Sequence, residues 1–240
     1  MLEKWLNKLT CGDCLEVMRE MPDSSVDMCV FSPPYNLRNT TGGGMQPSRE
    51  WYSLKYGYAE HDDNMPHEEY VEWQRNVLTE CMRLIPDTGA IFYIHKWRVQ
   101  AGVIQDRLDI VGGFPVRQII IWQRSGGFNF NDAFFVPTYE VIYMIAKKDF
   151  KLLPSARTVG DVWQINQDRD NDHPVPFPVE IPSRIIRHTS AQIVFDPFMG
   201  SGTTAVAAKK LGRDFIGIEL SPEYCEMAER RVSQTAINRS

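Results

Sequence analysis

Near the C-terminus, Phe195-Asp196-Pro197-Phe198-Met199-Gly200-Ser201-Gly202-Thr203-Thr204 follows a short run, Gln192 to Phe195, that reads as a buried strand. Thr203 to Leu211 reads as the helix after it. In a strand–turn–helix unit, Gly200 and Gly202 remove the side chains that would hold a ligand off the backbone, and they tolerate positive φ. The helix start presents unpaired N–H groups suited to a carboxylate or phosphate. Glu219 stands 23 residues past Asp196, at the end of a second apolar run, Phe215 to Ile218. An acidic side chain there can accept hydrogen bonds from both hydroxyls of a ribose. A turn and a surface carboxylate would explain the glycines alone; the acidic residue at this spacing points to a nucleoside.

The nucleoside is constrained by what is missing. Thr203-Thr204 stand where a triphosphate loop carries its lysine, and Ala205 replaces the third glycine of the dinucleotide pattern. S-adenosylmethionine needs neither, since it offers a ribose, an adenine, a sulfonium and an amino-acid tail whose carboxylate suits a helix start.

A second stretch, Ser32-Pro33-Pro34-Tyr35, ends another strand candidate, Val26 to Phe31. Consecutive prolines lock φ and hold Ser32 extended, so no helix consumes the carbonyls here. Tyr35 adds a flat, amphipathic ring. Alone, the stretch reads first as a strand-terminating turn.

Around these stretches strands and helices alternate. A helix is expected from Asn64 to Ile85, with Tyr70, Val77, Leu78, Cys81 and Leu84 at three- and four-residue spacings. Strands are expected at Ala90 to His95, Arg117 to Trp122 and Tyr139 to Ala146, and a helix within Arg98 to Leu108. A further helix is expected over Val179 to His188. The alternation predicts a doubly wound α/β sheet, mostly parallel, in which Tyr139 to Ala146 forms an antiparallel hairpin partner. Ser32 and Gly200 would then both lie at carboxyl ends of strands, where such sheets bind ligands.

The chain has 240 residues, 43% of them hydrophobic, which suffices for one sizeable core, so residues 1–240 are expected to form a single domain. A net charge of −5 gives no overall basic field, so nucleic acid would have to meet a local patch. No run of 18 apolar residues and no signal-peptide pattern occurs, which predicts a cytoplasmic protein with no membrane partner. Five cysteines without a framework fit a reducing compartment. Cys11-Gly12-Asp13-Cys14 lacks the second pair or histidines that a zinc site needs, and no metal is expected.

Taken together, Ser32-Pro33-Pro34-Tyr35 and Asp196 to Thr204 resemble the catalytic and cofactor motifs of the DNA amino-methyltransferases, which modify exocyclic nitrogens of cytosine or adenine. The order, catalytic motif first, looks like the permuted β group, and the resemblance extends from about Leu9 to Val232. It implies a Rossmann-like S-adenosylmethionine-dependent domain acting on DNA. Ser32, Pro33, Pro34 and Tyr35 would be catalytic, while Asp196, Pro197, Phe198, Gly200, Ser201, Gly202, Thr203, Thr204 and Glu219 would bind the cofactor. Gly12-Asp13-Cys14-Leu15 resembles the family segment whose Asp lies by the adenine. His173-Pro174 and Phe177-Pro178 resemble the segment beside the methionine moiety, giving Asp13, His173 and Phe177 cofactor roles.

Two segments stand outside this scaffold. Asn36 to Asp63 joins the run Gly42-Gly43-Gly44 to Arg38, Arg49, Lys55, Trp51, Tyr52, Tyr56 and Tyr58, a composition suited to phosphate contact and base stacking, or to a plain surface insertion. Arg124 to Asn131 is a second candidate for reaching into a groove. Lys147 to Asp172 is too short for the separate target-recognition domain of larger relatives, which predicts a short recognition sequence or weak selectivity. Serine at the first motif position is associated in the family more often with cytosine N4 than with adenine N6. A restriction endonuclease encoded elsewhere is a candidate second partner, and monomer and homodimer both stay open.

Overall fold

The computed structural model describes residues 2–36, 65–100, 102–126, 132–166 and 177–237. In chain order the strands are β1 (Lys8–Cys11), β2 (Met28–Phe31), β3 (Ala90–His95), β4 (Arg98–Gln100), β5 (Val103–Gln105), β6 (Val116–Gln123), β7 (Tyr139–Ala146), β8 (Val162–Gln164), β9 (Ile193–Asp196) and β10 (Asp214–Glu219). The helices are α1 (Cys14–Glu20), α2 (His67–Leu84), α3 (Leu108–Val111), α4 (Glu180–Arg187), α5 (Thr203–Lys210) and α6 (Pro222–Gln234).

Eight strands form one sheet in the order β1-β10-β9-β2-β3-β7-β6-β8. All pairings are parallel except those of β7, which runs antiparallel to both β3 and β6. The central strands are unbroken apolar runs because both faces are covered: every residue of β2 and of β3 is buried. Side chains alternate along β2. Met28 and Val30 join a core with Ile181 and Ile185 of α4 and Ala205 of α5, while Cys29 and Phe31 face Met18 of α1 and Val77 and Leu78 of α2.

From β9 the chain crosses through α5 to β10 on one side; from β2 it continues through α2 to β3 on the other. The two strands are neighbours, with Met28 opposite Val194 and Cys29 opposite Phe195. Their carboxyl ends therefore flank a topological switch point, the crevice where open α/β sheets bind ligands.

The helix expected within Arg98 to Leu108 is not formed. β4 and β5 make a two-stranded hairpin instead, with Gly102 at φ 77°. Val99, Val103 and Ile104 are β-branched and the glycine permits the turn, so local chemistry favours extended chain over a helix. Residues 37–64, which hold the glycine, basic and aromatic insertion, lie outside the described residues, as do 127–131 and His173-Pro174.

Candidate active site

The loop after β9 is tied down by its own acidic residues. Asp196 is 1% exposed, and its Oδ1 accepts from the Phe198 N–H at 2.8 Å. Burial pushes the Asp196 carboxyl up to about 7; the Thr204 hydroxyl and the Phe198 N–H oppose the shift, and the Glu219 charge adds to it. Gly200 and Gly202 take φ of 52° and 84°, so both glycines sit in the left-handed region. The Gly200 N–H donates to Glu219 Oε2 at 2.8 Å and the Ser221 N–H to Oε1 at 2.9 Å. Burial raises the Glu219 pKa, with the N–H groups of Ser221, Gly200 and Leu220 opposing.

Met199 folds over β10, its N–H bonding Ile218 O at 2.8 Å. Gly217 makes room for it: a Cβ there would lie 2.3 Å from Met199 Cε and 2.6 Å from Leu9 Cδ2. On the outer side β1 lies against β10 with Cys11 opposite Glu219, and the Gly12 N–H donates to the Glu219 backbone carbonyl at 2.9 Å, so Asp13 follows directly from the tip of β10. Asp13 caps α1, accepting from the Glu16 N–H at 3.0 Å.

Other residues of the motif bond inward. Ser201 accepts from Arg231 Nη1 at 2.6 Å through both Oγ and its carbonyl oxygen. The Thr204 hydroxyl reaches Val30 O at 3.1 Å, which fastens the start of α5 to β2. Pro197 and Thr203 are buried. Phe198 is half-buried, with its ring centroid 5.8 Å from that of Phe31 and 5.4 Å from that of Trp73. Phe177 packs against the core at the entrance to α4.

Ser32-Pro33-Pro34-Tyr35 continues directly from β2. Pro33, Pro34 and Asn36 are buried, whereas Ser32 and Tyr35 are half-buried. Ser32 Oγ donates to Tyr35 Oη at 2.7 Å, and Tyr35 Oη donates to Glu140 Oε2 at 3.0 Å. Glu140 pairs through Oε1 with Arg124 Nη1 at 3.3 Å. The Tyr35 ring stacks on His95 with centroids 4.7 Å apart and planes at 26°. Tyr70 Oη donates to Pro34 O at 2.8 Å and lies 2.8 Å from His95 Nε2. Asn36, at φ 55°, bonds both backbone groups of Met65 at 2.8 Å, which fixes where the chain leaves the motif.

The sequence assigns no site role to Glu140, Tyr70 or His95, and places Arg124 and Asn36 only at the starts of two segments suited to contacting nucleic acid. One signal was present: Glu140 is the only charged residue in Tyr139–Ala146, a strand otherwise apolar and buried. A carboxylate in such a run has a local partner or a task.

The residues fit S-adenosylmethionine on the chemistry of their donors and acceptors. Glu219 receives one backbone N–H on each oxygen and keeps further lone pairs for two ribose hydroxyls. Phe198 brings an aromatic face and the glycine turn brings bare backbone to the same crevice. A doubly wound sheet with an antiparallel β7 and these loops at its switch point defines the class of Rossmann-like S-adenosylmethionine-dependent methyltransferases.

The more specific assignment comes from known proteins. A family model described as DNA methylase, of the N6 and N4 methyltransferases, matches residues 26–230, and the chain belongs to that family. Over 270 aligned residues it is 28% identical to the type II methyltransferase M.BglII of Bacillus subtilis, covering 95% of this chain and 69% of that one. Its fold resembles that of a Thermus thermophilus protein described as a putative DNA modification methylase, complexed with S-adenosyl-L-methionine (TM-score 0.69, 24% identity, 98% and 99% of the two chains). It also resembles PvuII DNA methyltransferase, named as cytosine-N4-specific (TM-score 0.72, 21% identity, 93% and 85% covered). S-adenosylmethionine is the methyl donor of this family. Among the described residues no helix is long and apolar enough to cross a membrane.

Proposed function

We propose that the protein methylates an exocyclic amino nitrogen of a DNA base rotated out of the duplex, cytosine N4 in preference to adenine N6. The observation that carries this reading is the adjacency of two loops: Ser32-Pro33-Pro34-Tyr35 leaves β2 beside the strand, β9, that runs into the glycine turn. An exocyclic NH2 is conjugated with its ring, so its lone pair is a poor nucleophile until the nitrogen pyramidalises. Ser32 Oγ and the Pro33 carbonyl accept its two N–H bonds and turn the lone pair out of the ring plane. Tyr35 stacks on the base while His95 backs the Tyr35 ring. S-adenosylmethionine supplies an electrophilic methyl group carried on a sulfonium. Glu219 holds its ribose, Asp13 lies by its adenine, and His173 and Phe177 are assigned to its methionine end. No strong base is required, because an alkylated amino group is far more acidic than the parent amine.

Cytosine is favoured by Ser32 at the first motif position. The stretch from Lys147 to Asp172 is short for a target-recognition unit placed there, which supports a short or weakly selective site. The test is incubation of purified protein with unmethylated DNA and S-adenosylmethionine, followed by nucleoside mass spectrometry, with Ser32→Ala as control. N4-methylcytosine from wild type alone is the expected result. N6-methyladenine would keep the reaction and overturn the base, whereas no methylated nucleoside despite cofactor binding would overturn DNA as substrate. A methylome showing a long, strictly defined site would contradict weak selectivity.

A further inference from the structure

The motif serine has a directional problem that its own sequence does not solve. A hydroxyl can accept from a target amino group or donate to the ring nitrogen beside it, and only the first pulls the lone pair toward a methyl donor. We infer that Glu140, held by Arg124 and acting through Tyr35, fixes Ser32 as an acceptor toward the target base, and is a positioning residue for amino-group methylation. The inference rests on the reading of Ser32 given above.

The argument is a count of protons. As a carboxylate, Glu140 has no hydrogen to donate, and its Oε1 already faces the Arg124 guanidinium at 3.3 Å. The 3.0 Å contact between Tyr35 Oη and Glu140 Oε2 therefore uses the single phenolic proton. Tyr35 Oη can then only accept along its 2.7 Å contact with Ser32 Oγ, so the serine proton points at Tyr35. Both lone pairs of Ser32 are left for N–H donors. Chained hydrogen bonds polarise one another, and one ending on a carboxylate makes the serine oxygen a better acceptor. A carbonyl in place of the amino group would set acceptor against acceptor, so the same chain rejects keto bases.

The parts are rigid. Glu140 is 4% exposed at the start of β7, opposite Trp122 of β6, and the Arg124 guanidinium lies 5.9 Å from the Trp122 ring centroid. Tyr35 is braced from behind by the stacked His95. The Glu140 carboxylate meets Arg124, one residue past the end of β6, on Oε1 and Tyr35 of the motif loop on Oε2.

Glu140→Gln is the informative change because it reverses the chain rather than removing it. Arg124 retains the amide oxygen, which turns the amide NH2 toward Tyr35 Oη. Tyr35 then donates to Ser32, and the serine proton is released toward the base. The experiment compares wild type, Glu140→Gln, Tyr35→Phe and the double variant. Two readouts are taken: steady-state methylation of DNA, and the titration of the Tyr35 phenol followed by the NMR signal of its ring Cζ carbon, assigned by its loss in Tyr35→Phe.

Glu140→Gln should lower kcat by about tenfold or more while KM for DNA and Kd for S-adenosylmethionine stay within about twofold. It should cost nothing further in the Tyr35→Phe background, since both changes break one chain. The Tyr35 phenol should titrate at lower pH in Glu140→Gln, because a neighbouring carboxylate disfavours the phenolate. Unchanged kcat, independent losses that multiply, or a Tyr35 titration insensitive to Glu140 would each overturn the inference. If wild type fails to methylate DNA, the functional reading falls, and the titration still decides whether Glu140 directs the chain.

Discussion

Asp196 and Glu219 occupy one loop system, and burial raises both carboxyls above their ordinary range. The sign of the consequence follows from the direction of the shift. Asp196 goes from 3.8 to about 7 on folding, so the fold favours its protonated form. The stability tied to it is full below about pH 4 and is lost as pH rises through about 7, with a scale on the order of a few kcal/mol. Glu219 adds in the same direction. Urea unfolding of wild type across this range should therefore show a component of stability that declines with rising pH. Asp196→Asn, neutral and of the same size, should flatten it, leaving the smaller part due to Glu219. An unaltered pH slope in Asp196→Asn would show that Asp196 ionises normally in the fold.

At the scale of elements, the loop depends on strand β10 having no side chain at Gly217. Gly217→Ala sets a methyl against Met199 Cε and Leu9 Cδ2. Overpacking of this kind costs about 1–3 kcal/mol. Adding Met199→Ala should recover part of that loss, because Met199 is the nearer obstruction. Chemical denaturation of the two variants measures both effects, and a single variant as stable as wild type would mean that Met199 moves away freely. The elements themselves differed in how legible they were. β3, β7 and α2 could be bounded from the sequence because each has a long apolar run or a helical spacing that burial then uses. The helix expected within Arg98 to Leu108 overlooks the β-branched Val99, Val103 and Ile104 and the turn at Gly102, a strand signal only three residues long on each side. β1 and β8 are short strands whose residues are largely exposed or half-buried, so they carry little hydrophobic signal. The motif residues were legible because glycine and proline do local work there. Glu140 was not, since its contact with Tyr35 spans 105 residues and exists only once β7 has inserted beside β3.

Over the whole molecule, the order of strands does what no single motif can. It sets the exits of β2 and β9 side by side, then backs the motif loop with His95 of β3 and Glu140 of β7. The chain carries a net charge of −5, so DNA meets no general basic field. Few phosphate contacts should form, and DNA affinity should fall only shallowly with salt; a slope equivalent to about ten or more released counterions would contradict this. The central claim concerns one atom, the exocyclic nitrogen. The most direct measurement uses DNA labelled with nitrogen-15 at its exocyclic amino groups and S-adenosylmethionine carrying a deuterated methyl, followed by digestion and fragmentation of the methylated nucleoside. The predicted result is the deuterated methyl bonded to nitrogen-15. A methyl on a ring carbon or ring nitrogen would contradict it.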